Sequence, residues 1–254
     1  MAVIIDGHCH AGEGDGLTAP ADTSAPLGGY LRRCAAEGIT HHVLFPPLTS
    51  DYAVANRSLA TFVARHRGRM IGFAFVHPVT DAGRVADMVT EAVDRYGFRG
   101  IKVHWRDGRV TREIADVARR RRLPVIYDPG GDTGSVEIIA RAYPDVAWIV
   151  PHLSSFADDW KAQVAFVDQL VRLPNVFTDT SGVRHFDVLR DAVRRAGARK
   201  VIFGTDGPFL HPGVELSKIR LLGLSREEQS HVLGGTILGL IRSVRPTSTK
   251  EFVR

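Results

Sequence analysis

The chain has 254 residues, 44% of them hydrophobic and 24% charged, with 33 Lys and Arg against 28 Asp and Glu for a formal net charge of +5. Such values exclude a disordered chain, a collagen-like repeat and a membrane bundle, and the length suits one large core of the size of an eight-unit barrel. Cys9 and Cys34 alone cannot build a disulfide framework, and no basic segment followed by an apolar one opens the chain, so a cytoplasmic protein without a membrane segment is expected.

Taken in order, the chain alternates short β-branched runs with longer stretches of helical period. The runs predict strands over Val3 to Gly7, Thr40 to Phe45, Met70 to Val76, Gly100 to His104, Pro124 to Asp128, Val146 to His152, Val176 to Asp179 and Val201 to Gly204. Between them, apolar residues at three- and four-residue steps predict helices over Tyr52 to Arg67, Ala82 to Tyr96, Thr111 to Arg121, Ser135 to Ala142, Trp160 to Leu173 and Phe186 to Ala196. Near-continuously apolar strands joined by helices indicate a parallel sheet covered on both faces. The Gly-rich stretch Gly12 to Gly16 matches neither dinucleotide nor P-loop pattern, which argues against an open doubly wound sheet. The expected fold is therefore α/β, a (β/α)8 TIM-type barrel forming a single domain over residues 1–254. Ala11 to Pro26 reads as a long loop above the first strand. The basic run Arg119 to Arg122 ends a helix just before a strand, where arginines face a helix C-terminus favourably. No nucleic-acid partner is expected from it, because the charge lacks interleaved aromatics and a recognised module.

Ionisable residues stand at the C-terminal end of strand after strand: Asp6, His8 and His10, then Lys102 and His104, Asp128, His152, Asp179 and Asp206. In a parallel barrel those ends converge on one mouth, where active sites lie. Side chains two apart on a strand point the same way, so His8 and His10 aim together into the mouth and Cys9 turns away. Two imidazoles and a carboxylate, of which Asp206 is the natural candidate, form an open site for zinc, iron, nickel or manganese.

The ordered segments Ile5-Asp-Gly-His-Cys-His, Phe98-Arg-Gly-Ile-Lys-Val-His, Leu123-Pro-Val-Ile-Tyr-Asp, Trp148-Ile-Val-Pro-His-Leu-Ser and Val201-Ile-Phe-Gly-Thr-Asp-Gly-Pro resemble the amidohydrolase superfamily. Within it the chain resembles the branch of small-molecule hydrolases and nonoxidative decarboxylases of the aminocarboxymuconate-semialdehyde type. The resemblance implies that His8, His10 and Asp206 hold a divalent metal, zinc foremost, and that His152 is a further ligand or polarises the substrate. Where the family presents a histidine after the fifth strand, this chain has Asp128, which ligates through oxygen, binds substrate or positions water, or serves as a turn or helix-capping residue. Lys102, at a position where some members carry a carboxylated lysine, is expected to bind an acidic substrate group or to pair with Asp128. His104 and Trp105 are expected to line the pocket.

The function this implies is hydrolysis of a small carbonyl compound, an amide, cyclic amide or lactone, by metal-activated water. Asp206 would accept the proton and His152 would stabilise the oxyanion. Nonoxidative decarboxylation on the same site is one alternative, and an inactive barrel acting as a binding protein is another. The partner expected is a small-molecule substrate, with homodimerisation an option. Asp6 should share a face with His8 and orient it or bond a strand end, and Asp179 has the same two options. His41, His42, His66, His77, His185, His211 and His231 read as surface or core histidines, His77 and His211 being the ones placed to reach the mouth.

Overall fold

Eight parallel strands carry the core, as the alternation predicts. In the computed structural model, which describes residues 3–15, 24–66, 68–156 and 159–244, they are β1 (Ile4–His10), β2 (Ile39–Phe45), β3 (Met70–Gly72 continued by Ala74–Phe75), β4 (Ile101–His104), β5 (Val125–Asp128), β6 (Trp148–Val150), β7 (Val176–Asp179) and β8 (Val201–Ile202). Each neighbours the next in chain order, and every pairing is parallel. The third strand is interrupted at Phe73, where its hydrogen bonding passes from one neighbour to the other: Phe73 N–H donates to Leu44 O at 2.8 Å and Ala74 N–H to Gly100 O at 2.9 Å. The last strand joins the first through Gly7 N–H to Phe203 O at 2.8 Å and His10 N–H to Gly207 O at 2.6 Å. That seam needs glycine, since a Cβ on Gly7 would lie 2.5 Å from Ile202 Cγ2 and one on Gly207 would lie 2.2 Å from the Tyr30 ring.

Helices α1 (Leu27–Ala36), α2 (Tyr52–Arg65), α3 (Val85–Asp94), α4 (Arg112–Arg121), α5 (Thr133–Ala142), α6 (Trp160–Arg172), α7 (Phe186–Ala196) and α8 (Pro212–Leu221) follow the successive strands. Their starts are chemically marked, for Asp51, Thr111, Asp132 and Asp159 accept the backbone N–H groups of Val54, Ile114, Ser135 and Ala162, satisfying donors that a helix start leaves free. The arginine run ends α4 as expected: Arg119 pairs with Asp116, Arg121 bonds Asp94 and Thr90, and Arg122 closes the helix at φ 54°.

Two apolar clusters result. The larger lies between strands and helices and includes Cys9, Leu44, Val103, Trp148 and Phe166; the smaller fills the barrel and includes Ile5, Val43, Phe45, Phe75, Ile126, Ile149 and Ile202. A last helix, Thr236–Arg242, adds Ile237 and Ile241 to the inner cluster, in place of a ninth unit. No helix among the described residues is long and apolar enough to cross a membrane. Half of the loop expected over Ala11 to Pro26 lies outside the described residues; its flanks pair as a short antiparallel ladder, Gly12–Glu13 with Ser24–Ala25.

Three strands depart from their predicted C-terminal ends by two residues or more, each for a local reason. The sixth stops at Val150 because Pro151–Ser154 makes a tight turn with His152, Leu153 and Ser154 at φ 58°, 52° and 78°. The eighth stops at Ile202 because Phe203 N–H turns away to donate to Val232 O. The first is longer than predicted, running to His10, and carries a bulge: Asp6 to Cys9 spans three steps while the partners His42 to Leu44 span two. The bulge resets which side chains face inward.

Candidate metal centre

The bulge corrects the expectation that Asp6 shares a face with His8. Asp6 points into the layer outside the barrel, where its Oδ1 accepts the N–H groups of His8 (3.2 Å) and Thr205 (3.0 Å), and its Oδ2 accepts the hydroxyls of Tyr30 (2.6 Å) and Thr205 (2.8 Å). Asp6, Cys9 and His42 lie close enough to hold an ion. With four donors already on its oxygens, Asp6 instead serves as a lock between β1, α1 and the segment after β8.

His8 and His10 face inward and meet Asp206 from the far end of the chain. Asp206 Oδ1 lies 3.4 Å from His8 Nε2 and 3.3 Å from His10 Nε2, and donor atoms of His8, His152 and Asp206 fall within 4.8 Å of one another. The other ring nitrogen is occupied in each histidine. His8 Nδ1 meets Asp179 Oδ2 at 2.8 Å, His10 Nδ1 meets the Pro46 carbonyl at 3.2 Å, and His152 Nδ1 meets the Ser181 carbonyl at 2.7 Å. Carbonyls and an ionised carboxylate only accept, so each Nδ1 carries the hydrogen and each Nε2 presents a lone pair. Lone pairs gathered around a carboxylate repel unless a cation lies between them. Imidazole and carboxylate donors with the distal nitrogens already fixed are the composition of a divalent-metal site.

Asp179 is the hub behind this arrangement. It accepts from the His8 ring, from Ser181 Oγ (2.6 Å) and Ser181 N–H (3.1 Å), and from His152 N–H (3.3 Å). Burial works to raise its carboxyl, but the interaction with the His8 ring and the hydrogen bonds from His8 and Ser181 prevail and hold it well below the usual carboxylate range. Burial acts the same way on Asp206, where the His10, His8 and His152 imidazoles more than offset it and again lower the carboxyl. Burial pushes His8 below the ordinary histidine value, which favours the neutral ring. Both His152 and Asp206 hold left-handed backbone, φ 58° and 56°, a conformation that costs a non-glycine residue on the order of 1 kcal/mol and tends to persist at functional sites.

Replacing Asp179 by Asn should therefore weaken metal binding by roughly 10- to 100-fold, because an amide fixes the His8 ring less firmly. It should also flatten the acid limb of the stability curve. In the native fold Asp179 stays ionised while the unfolded chain takes up a proton at about pH 3.9, so its stabilisation is fully present above that value and is lost as pH falls from there towards the lower folded-state value. Metal titration and unfolding from pH 6 downward check both effects.

Asp128 falls outside the His8, His152 and Asp206 group. Its Oδ1 accepts Gly130 N–H at 2.9 Å and its Oδ2 lies 3.3 Å from His104 Nε2, across the β4–β5 pairing that aligns the two residues. His104 Nδ1 accepts Arg106 N–H, so the ring hydrogen is on Nε2 and points at Asp128. Burial pushes the His104 imidazole down to about 3, keeping it neutral. The ion pair between Asp128 and Lys102 is not formed. Lys102 is buried with its Nζ 4.8 Å above the Phe45 ring, the ring that also meets His8 and His10, and among the described residues Nζ makes no hydrogen bond or ion pair. Burial lowers its ammonium, with Asp128, Asp179 and Asp206 opposing. Trp105 is half exposed at the rim, stacked on His104 and packed over Gly130, where a Cβ would lie 2.5 Å from the indole.

Of the two roles open to Asp179 on sequence, orienter or strand-end bond, it fills both: Oδ2 meets the His8 ring and Oδ1 accepts backbone N–H groups of Ser181 and His152. Sequence reasoning misses Phe45, Tyr30, Thr205 and the ring of Phe209, 5.2 Å from His10. Of the histidines that read as isolated, His77 does reach the mouth, 3.8 Å from Asp107, and His211 caps α8 by accepting Gly213 N–H.

The same architecture recurs in known structures. An amidohydrolase from Burkholderia multivorans with bound HEPES superposes at TM-score 0.79 with 17% identity, covering 96% of this chain and 100% of that one. A dihydroxybenzoic acid decarboxylase from Polaromonas with bound manganese and the inhibitor 2-nitroresorcinol matches at 0.71 and 17%, covering 95% and 97%. A 5-carboxyvanillate decarboxylase from Sphingomonas paucimobilis matches at 0.72 and 14%, covering 96% and 100%. At these identities the likeness is one of fold. No curated protein is significantly similar in sequence. The amidohydrolase family profile matches residues 5–241, nearly the whole barrel, and the chain thus belongs to the amidohydrolase family as an enzyme of that superfamily.

Proposed function

We propose that the protein is a mononuclear metal-dependent hydrolase of a small carbonyl compound, its cation held by His8, His10, His152 and Asp206. The observation that carries this reading is the convergence of imidazole nitrogens, their distal hydrogens already committed, on one carboxylate. When bound, a divalent cation supplies Lewis acidity, polarising a carbonyl and making water acidic near neutral pH. Nitrogen donors with a single carboxylate suit zinc first, with manganese, iron and nickel as the other candidates.

Asp206 is the group that takes the proton from the attacking water and returns it to the leaving atom. The hydrogen of His152 is fixed on the Ser181 carbonyl, so a neutral His152 has none on Nε2 to offer an oxyanion. We therefore assign His152 to metal binding and give the anion-stabilising role to Lys102, whose ammonium has free donors in the mouth. Asp128 we assign to holding His104 and the Gly130 turn, with His104 and Trp105 as pocket wall. The single-domain extent expected over residues 1–254 is kept as part of this proposal.

Lys102 also favours a second reading. A buried, unpaired cation beside a metal centre suits a substrate bearing a carboxylate, which nonoxidative decarboxylation requires, and decarboxylases stand among the structural neighbours. The two reactions separate on their products: hydrolysis incorporates one oxygen from labelled water, whereas decarboxylation releases carbon dioxide and incorporates none. Protein purified without added cations is expected to contain one equivalent of a divalent metal by elemental analysis. Chelation should abolish turnover, and the removed ion should restore it. A consistently metal-free, active preparation would refute the proposal, and a metal-free, inactive one would support a barrel that serves only to bind.

A further inference from the structure

The mouth holds a second set of buried polar atoms, which the metal centre does not use. Asp107, in the loop after β4, has a side chain 1% exposed, and its two oxygens differ in their surroundings. Oδ2 accepts a 2.6 Å hydrogen bond from the Tyr52 hydroxyl, and Tyr52 is fixed by stacking on Phe75 with centroids 4.0 Å apart. Oδ1 has no hydrogen-bond partner among the described residues. A buried carboxylate oxygen without a donor is unfavourable for folding unless a water or a ligand supplies one.

The facing donor is His77, just beyond β3. Its Nδ1 accepts the backbone N–H groups of Val79 and Thr80 at 3.1 and 3.2 Å, so the neutral ring carries its hydrogen on Nε2. Nε2 stands 3.8 Å from Asp107 Oδ1, too far for a hydrogen bond. An oxygen about 2.8 Å from each would satisfy both. The pair offers one donor and one acceptor to the same point, and a hydroxyl satisfies both: its oxygen accepts from Nε2–H and its hydrogen goes to Oδ1. A carboxylate there would be repelled by Asp107, and a ketone or ether would leave Oδ1 unpartnered.

Tyr52, His77 and Asp107 follow β2, β3 and β4, so they line the same mouth as the ligand group on β1, β6 and β8 from the other side. Aromatic rings connect the two: His10 to Phe45 at 4.6 Å, Phe45 to Phe75 at 6.4 Å, and Phe75 to Tyr52 at 4.0 Å, with Lys102 Nζ over Phe45 between them. His77 is 19% exposed and Asp107 1%, so an entering molecule meets this pole from the His77 side.

We propose that Asp107 and His77 form a hydroxyl-recognising pole opposite the metal centre, with Tyr52 positioning Asp107, so that the substrate is a hydroxylated acid or carbonyl compound whose hydroxyl lies remote from the reacting carbon. This rests on the metal centre being the reactive end. The test is calorimetric binding of benzoate and of 2-, 3- and 4-hydroxybenzoate to the manganese-loaded protein, for wild type and Asp107→Ala. At least one hydroxybenzoate should bind wild type roughly tenfold tighter than benzoate, the size of a hydrogen bond to a charged group. That advantage should vanish in Asp107→Ala. Should Asp107→Ala fail to fold, the more exposed His77→Ala gives the same comparison. Equal binding of all four probes to wild type, an advantage that survives in the variant, or no binding by any probe overturns the proposal. Failure of the metal-centre reading has a separate signature: benzoate binding that depends neither on manganese nor on His8.

Discussion

Asp206→Asn is expected to lower turnover by roughly 10²–10⁴-fold or more while the melting temperature stays close to that of the wild type. The substitution keeps the shape of the side chain, and Asn is among the few residues that tolerate the left-handed backbone found here at φ 56°. What changes is chemical. The amide has no negative charge to set among the His8, His10 and His152 nitrogens and cannot accept a proton from water. Metal content measured by elemental analysis should fall along with activity, because one anionic donor has been removed. An Asp206→Asn protein that retained turnover on the wild-type substrate would overturn both roles given to Asp206.

Asp6→Ala should act in the opposite way, as a stability variant. Removing this carboxylate strands the N–H groups of His8 and Thr205 and takes an acceptor from the hydroxyls of Tyr30 and Thr205 inside the protein, with Asp6 itself 0% exposed. Buried groups deprived of a charged partner cost about 3–5 kcal/mol. For a chain of this size that corresponds to a fall in melting temperature of roughly 10 °C. Thermal unfolding monitored by circular dichroism measures it. A variant melting within a degree or two of wild type would show that the lock is not one. The comparison of Asp6→Ala with Asp206→Asn separates the two carboxylates that meet at the β1–β8 seam: one holds the barrel closed, the other is committed to chemistry.

How the two were told apart bears on what a sequence can say. Asp6, His8 and His10 stand at alternate positions, and alternation alone puts all three on one face. The bulge between Asp6 and Cys9 breaks that inference, and no residue in Ile5-Asp-Gly-His-Cys-His announces it apart from Gly7, whose missing Cβ lets β8 approach. Lys102 and Asp128, on adjacent strands, read equally well as an ion pair, but the register sets Asp128 opposite His104 and Lys102 opposite Ile126. Asp128 instead takes Gly130 and His104, which leaves the lysine unpaired.

The sequence by itself determined the barrel, the order of its strands and the group His8, His10, His152 and Asp206 that the fold brings together. Apolar periodicity and strand-end polarity are local properties, and parallel closure leaves the chain little choice about where they converge. Only the tertiary structure decided which nitrogen of each histidine is free, which carboxylate orients and which would ligate, and which polar atoms of the mouth remain unsatisfied. Those are facts about contacts between residues such as His8 and Asp179, 171 positions apart, or Tyr52 and Asp107, 55 apart, and they turn on hydrogen-bond directions that no pattern along the chain encodes.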